Sequence, residues 1–293
     1  MLATLDALSP EHVSRLQQVP RWFSLWEQRL SRFRQDSELS RLNRSAGRPT
    51  RVSHVLWQVI QAALRSALDS GGLVDPTLLP ALEAAGYDRN FADMAPISTS
   101  KAVLAPKDDN NWQSIICNKS RSTVCLPAGV HLDLGGIAKG WAGDQSAKRL
   151  GRYGPTLVDA GGDIAISSPP RGEIGWPIGI ADPAAPDRQV AMLCVPRGGV
   201  ATSGRDYRRW QRNGKWVHHL LDPRTGLSAE TDVLSATAIA PNCEKAETIA
   251  KAALILGSQK GLVWLEQHNL AALVICDDGR LIRSRRFDDY LWR

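Results

Sequence analysis

Hydrophobic positions along the 293 residues fall into three successive regimes. The first is helical. Trp22, Trp26, Leu30 and Phe33 recur every three or four residues, as do Val55, Val59, Ala63 and Ala67, so each set makes one inward face. Ser9-Pro10-Glu11 reads as a helix start with Ser as cap and Pro in the first turn, and Pro20 interrupts that helix. Ser53 caps the later helix and Gly71-Gly72 closes it. Between the two, the polar stretch SRFRQDSELSRLN (31–43) reads as solvated loop with a short helix. GLVDPTLLPALEAAGYD then gives an Asp-Pro turn, a short helix and a glycine stop.

The second regime, residues 87–130, is polar and Pro-containing. Two short β-like runs, 114–117 and 123–126, make it a hairpin-bearing excursion or lid rather than a separate domain. It leads into HLDLGGIAKGWAGDQSAKRL (131–150). Alternation over 131–134 has the period of a half-buried strand, Gly135 and Gly136 break it, and 137–150 reads as a helix. Strands dominate the third regime, at 156–159, 163–167, 176–181, 190–195, 217–221 and 234–240. Asn242 caps a helix to Gly257, a second helix covers 259–267, and 270–276 is a last apolar strand. Without strict βαβ alternation the pattern predicts an α+β fold, with a mixed or antiparallel sheet and flanking helices, in a single domain over 1–293.

Composition narrows the class. At 43% hydrophobic and 23% charged the chain is that of a globular protein, and a formal charge of +6 with pI near 9.2 favours anionic partners. Basic residues are dispersed and form no run with interleaved aromatics, so no nucleic-acid groove is expected. The five cysteines, Cys117, Cys125, Cys194, Cys243 and Cys276, form no CxxC pair. They read as reduced thiols, against zinc and against a disulfide framework. The opening MLATLDALSPEH lacks the pattern of a secretory signal, and no segment is apolar for long enough to span a bilayer. A cytoplasmic location without membrane insertion is the expectation.

Candidate chemistry lies in five stretches. Gly135-Gly136 at the mouth of a helix lets backbone N–H groups approach an anion, and Lys139 in the first turn adds a cation. Asp159-Ala-Gly-Gly-Asp163 sets two carboxylates around a Gly pair, though a tight turn with Asp bonding the backbone accounts for it equally well. Thr202-Ser203-Gly204 supplies hydroxyls, and alone it reads as a turn. HHLLDPRTG (218–226) puts imidazole, carboxylate, guanidinium and hydroxyl within nine residues, with one histidine facing the core because strand neighbours point oppositely. Glu247 and Lys251 stand four apart on the late helix, off its apolar stripe. The bland reading there is a surface ion pair worth a few tenths of a kcal/mol.

Singly these stretches are unremarkable; in this order they resemble the ApbE-type FAD:protein FMN transferases. SRFRQDSELSRLN, GLVDPTLLP, HLDLGGIAKGWAGDQ, LVDAGGDI, VATSG, HHLLDPRTG and AETIAKAALILG carry the resemblance, and DLGGIAKG and HHLLDPRTG are its specific parts. The resemblance implies a T-fold-like core that holds FAD between its lobes. It also implies transfer of FMN to a Thr hydroxyl of an acceptor protein, with release of AMP. By that resemblance His219 is the general base, with Asp222 shaping the site; Lys251, where the chain departs from the family, is the third catalytic candidate. Ser37, Glu38, Asn43, Asp133, Gly135, Gly136, Lys139, Asp163, Thr202, Ser203, Arg224 and Thr225 surround the flavin nucleotide.

The metal position departs from the family. There an Asp and a Thr one helical turn apart, with a carbonyl of the GGIAKG stretch, hold magnesium. The matching positions here are Glu247, Lys251 and the Ala138 carbonyl, and an ammonium group cannot ligate a hard cation. Lys251 is expected to stand in the metal's place, paired with Glu247. A second departure is the start of the chain: family members often carry an export signal and an opening strand, whereas this chain is expected to begin almost directly with helix. FAD hydrolysis, with water in place of the Thr hydroxyl, and flavin carriage without chemistry are the alternatives to transfer.

Overall fold

Six of the strands after residue 150 join an opening strand in one antiparallel sheet. A computed structural model of the chain describes residues 2–5, 10–94, 97–98, 111–212 and 214–292. The sheet runs Leu2–Leu5, Thr156–Asp159, Ile164–Ile166, Gly198–Gly204, Val233–Ala240, Ala271–Cys276 and Leu281–Arg283, each strand antiparallel to the next. The described helices are α1 (Pro10–Leu16), α2 (Val19–Leu30), α3 (Glu38–Arg44), α4 (His54–Asp69), α5 (Leu79–Ala84), α6 (Ala138–Leu150) and α7 (Cys243–Gln267). This is the α+β class that the pattern predicts. The chain divides into two compact units, each discontinuous in sequence: Met1–Ser24, Lys139–Gly204 and Thr231–Arg293 in the first, Leu25–Ala138 and Arg205–Glu230 in the second.

In the first unit the sheet is buried on both faces. Leu157 and Ile166 point to one side, where the hairpin Trp176–Asp182 and Ala185–Val195 and the buried Phe287 cover them. Their neighbours Val158 and Ala165 point the other way, against Ala147 and Leu150 of α6 and Cys243 of α7. Two-sided burial explains why Ala271–Cys276 reads as a continuous apolar run although it is antiparallel, and why Ser235 and Thr237 of Val233–Ala240 are buried. Helix α7 breaks at Gly257, whose φ of 80° is open to glycine, and Asp232 caps the restart by accepting from Ser258 N–H at 2.9 Å.

The second unit packs Leu78, Ala81, Leu82, Tyr87, Trp210 and Leu221 into a core of its own. The two short runs of the 87–130 region form the expected hairpin, Ile116–Asn118 with Thr123–Cys125, and Thr50–Arg51 adds an edge. Residues 95–96 and 99–110 of that region lie outside the described residues, as does the Ser9 cap expected for α1.

Four local expectations change. Gly198–Gly204, read in part as a turn, is an inner strand paired on both sides, and its glycines hid it from a propensity reading. The chain does have an opening strand: Leu2–Leu5 pairs with Thr156–Asp159, a run too short for period to reveal. Residues 131–134 keep the alternating burial but join no sheet, because the Asn43 amide takes both backbone groups of Leu132, each at 2.9 Å. The expected strand 217–221 is split into Lys215–His218 and Leu221–Asp222.

Candidate active site

Four charged side chains converge in the first unit. Lys139 lies in the first turn of α6, Asp163 closes the Asp159–Asp163 turn, and Glu247 and Lys251 lie one turn apart on α7. Lys139 Nζ donates to Asp163 Oδ2 and stands 3.8 Å from Glu247 Oε1, to which Lys251 Nζ donates at 3.1 Å. The carboxylates are almost fully enclosed, with side-chain exposures of 2% for Asp163 and 4% for Glu247, against 13% for Lys251 and 40% for Lys139. Glu247 and Lys251 are therefore not the surface pair of the bland reading.

The turn explains the division of labour between its two acids. Asp159 Oδ1 accepts from Gly162 N–H at 2.7 Å, and Gly161 and Gly162 take φ of 80° and 92°. Asp159 is the turn residue, as the bland reading held, and Asp163 is turned onto Lys139. Burial pushes Asp163 up to about 6, helped by the charge of Glu247 and opposed by Lys139. Burial also works to raise Glu247, yet Lys251 and then Lys139 hold it below the ordinary carboxylate range. A buried carboxylate stays ionised when opposite charges outweigh its desolvation.

Helices α6 and α7 satisfy one another's ends. Asp144 of α6 accepts from Cys243 N–H at 2.8 Å and Glu244 N–H at 3.0 Å, while Asn242 accepts from Lys245 and Ala246 N–H at 2.9 and 3.1 Å. The N–H groups of the first three residues of α7 are thereby paired by side chains, and Ala246 makes the first bond of the helix itself. In return Glu247 Oε2 accepts from Gly140 N–H of α6 at 3.3 Å. The approach is close: a Cβ on Gly140 would lie 2.9 Å from Glu244 N and Cα, and one on Gly199 would lie 2.3 Å from Cys243 N. Burial raises Asp144 to about 7, even though both backbone bonds favour its ionised form. Nearby on the sheet, exposed Thr202 shares a hydroxyl bond of 2.8 Å with Thr237, while Ser203 points into the interior.

In the second unit the two histidines separate as strand geometry requires. His218 is buried, with Nε2 3.2 Å from the Ala229 carbonyl, and burial lowers its pKa. His219 is half-buried and meets the Tyr87 ring edge-on at 6.4 Å between centroids. Arg32, which sequence reasoning passed over, lies over the Tyr87 and Phe33 rings, donates to the Tyr87 carbonyl at 2.7 Å and stands 3.7 Å from Asp133.

The remaining candidates in this unit shape the backbone. Asp222 holds Arg224 through Nε and Nη2 at 2.8 and 2.7 Å, and its carbonyl accepts from Thr225 and Gly226 N–H at 3.0 and 2.8 Å. The Asp222 carboxyl lies below its ordinary value because the Arg224 bonds outweigh burial. Gly135 N–H, expected to face an anion, donates instead to Asp133 at 2.8 Å. Ser37 caps α3 by accepting from Ser40 N–H at 2.9 Å, and Glu38 accepts from the Ser53 hydroxyl at 2.6 Å.

Residues 3–274 match the model of the ApbE family. The chain belongs to the ApbE family. It is 32% identical to the FAD:protein FMN transferase of Treponema pallidum, over 89% of this chain and 78% of that one. It is 29% identical to the FAD:protein FMN transferase of Vibrio cholerae, over 85% and 76%. Among solved structures it is similar to the ApbE protein of Thermotoga maritima, with a TM-score of 0.86 and 25% identity over 99% and 94% of the two chains. The flavin transferase ApbE of Vibrio cholerae gives 0.80 at 25% identity over 99% and 98%.

The magnesium that the resemblance implies does not fit these residues. Glu247 already accepts from Lys251 and Gly140, Lys251 has no lone pair to give while charged, and Ala138 opens α6. Among the described residues no group of three or more His, Cys, Asp or Glu is arranged to hold a metal.

Proposed function

We propose that this ApbE-family protein transfers FMN from FAD to a Thr hydroxyl of an acceptor protein. The observation that carries the reading is the match to FAD:protein FMN transferases over 85–89% of the chain. In the reaction the Thr Oγ forms a bond to the FMN phosphorus, the bond from that phosphorus to the AMP oxygen breaks, and AMP leaves with the electron pair. The Thr proton passes to a base, a role that half-buried His219 suits better than His218, whose burial disfavours charging. Little covalent chemistry falls to the protein in such a displacement, so positioning and charge neutralisation dominate.

The other roles follow from chemistry. Lys139 is the more exposed ammonium of the quartet and is assigned to the pyrophosphate, with Asp163 and Glu247 fixing where it stands. Asp222 holds the Arg224 guanidinium in place, and Thr202 is the accessible hydroxyl of its pair. Ser37, Glu38, Asn43 and Asp133 hold the backbone around the flavin site. The five unpaired cysteines support a reducing compartment.

The test is to incubate the protein with FAD, with and without a Thr-bearing acceptor. Covalent flavin fluorescence on the acceptor, accompanied by AMP, is the expected result. Free FMN with AMP and no labelled acceptor would replace transfer by hydrolysis, and intact bound FAD would leave only a flavin carrier.

A further inference from the structure

We propose that Lys251 takes the place of the divalent cation, so that this protein handles the FAD pyrophosphate with its own ammonium groups and binds no magnesium at Glu247. The proposal rests on the transferase reading for its substrate, and on the Lys139, Asp163, Glu247 and Lys251 quartet for its argument.

Charge is the first support. Two carboxylates face two ammonium groups, so the quartet is neutral without any added ion. The Lys251 ammonium lies 3.1 Å from Glu247 Oε1, and the Lys139 ammonium contacts both Asp163 and Glu247. A dication placed here would add two charges beside two existing cations around nearly enclosed carboxylates, where like charges repel. Ligand chemistry is the second. Magnesium requires near-octahedral oxygen, and each oxygen of Glu247 already accepts from nitrogen, Oε1 from Lys251 and Oε2 from Gly140. Construction is the third. Lys251 is four residues along α7 from Glu247 and only 13% exposed, so the packing holds its charge in place as it would hold a bound ion. The helix supplies in covalent form what a metal site would recruit from solution.

The experiment separates this claim from the transferase reading by measuring metal binding directly. Wild-type protein and the double variant Glu247→Asp/Lys251→Thr are titrated with Mn2+ and followed by electron paramagnetic resonance, and their thermal midpoints are read with Mg2+ or EDTA. FAD affinity is measured by flavin fluorescence in both media. For wild type the expected result is no site-bound Mn2+, a midpoint unmoved by Mg2+, and FAD affinity equal in Mg2+ and EDTA. The double variant, now carrying oxygen ligands, is expected to bind Mn2+ and to bind FAD about tenfold more tightly with Mg2+ than with EDTA.

Lys251→Met covers the case in which the double variant does not fold. It is expected to lose FAD affinity about tenfold, with no recovery on adding Mg2+. Wild-type protein that binds Mn2+ stoichiometrically, or that loses FAD affinity in EDTA, would overturn the proposal. Recovery of Lys251→Met by Mg2+ would also overturn it. Failure of FMN transfer in every medium would sink the transferase reading, while the Mn2+ titration would still decide the metal question.

Discussion

Replacing Glu247 by Gln removes one charge from a neutral quartet whose carboxylates are enclosed, and the size of the loss reports whether the quartet is real. In the wild type the two carboxylates balance the two ammonium groups. Glu247→Gln leaves an excess of one positive charge, shared by Lys139 and Lys251 around Asp163 alone. Removing one member of a buried pair costs about 3–5 kcal/mol, whereas an exposed helix pair costs only about 0.3–0.5 kcal/mol. With Glu247 at 4% and Lys251 at 13% side-chain exposure, the larger figure applies. The double variant Glu247→Gln/Lys251→Met restores neutrality, with Lys139 still on Asp163. It should recover most of the loss, because a well-packed neutral pair of similar volume is often as stable as the ion pair. Lys251→Met alone should be the milder single change, since it leaves an excess negative charge that Asp163, already raised to about 6, relieves by taking up a proton. Urea unfolding of all four proteins at pH 7.5 measures the cycle. A loss below about 0.5 kcal/mol for Glu247→Gln, with no coupling in the double variant, would mean that the pair is a surface pair after all.

Three further outcomes test separate parts of the molecule. His219→Ala should lower FMN transfer by about two to four orders of magnitude with FAD affinity nearly unchanged, and unchanged transfer in a stopped assay would remove His219 as base. Gly140→Ala should destabilise the protein by about 1–2 kcal/mol in thermal melts, because the new Cβ would press on α7 backbone at 2.9 Å. A loose contact would instead show the gain of about 1 kcal/mol that Ala brings to a helix. Asp144, raised to about 7 by burial, stabilises the fold fully below its unfolded value of 3.8 and loses that contribution as pH rises towards 7. Asp144→Asn stays neutral, so its stability relative to wild type should rise between pH 4 and 7 by roughly 4 kcal/mol, and a difference independent of pH would contradict the burial of this carboxylate.

How far the sequence spoke for the fold depended on how local the cause was. The caps of α4 and α7, the break at Gly257 and the edges of α6 were legible because a few neighbouring residues decide them. The inner strand Gly198–Gly204 was not, since its small residues follow from the close approach of α7 at Gly199, a contact 44 residues away in sequence. Residues 131–134 alternate like a strand, but the Asn43 amide, 89 residues earlier, supplies the partner that a sheet would have supplied. The site shows the same limit. Motif order named Lys139, Asp163, His219 and Lys251, whereas the burial of Glu247 and the reciprocal capping by Asp144 came only with the packing of α6 against α7. Arg32 carried no motif at all. Its place between Tyr87 and Asp133 is a property of the folded chain alone.

The measurement that bears most directly on the account is the intact mass of a Thr-bearing acceptor after incubation with the protein, FAD and EDTA. A gain equal to FMN less water, matched mole for mole by AMP and lost when the acceptor Thr is replaced by Ala, is the result expected. An unmodified acceptor beside intact FAD, or beside free FMN and AMP, would contradict it.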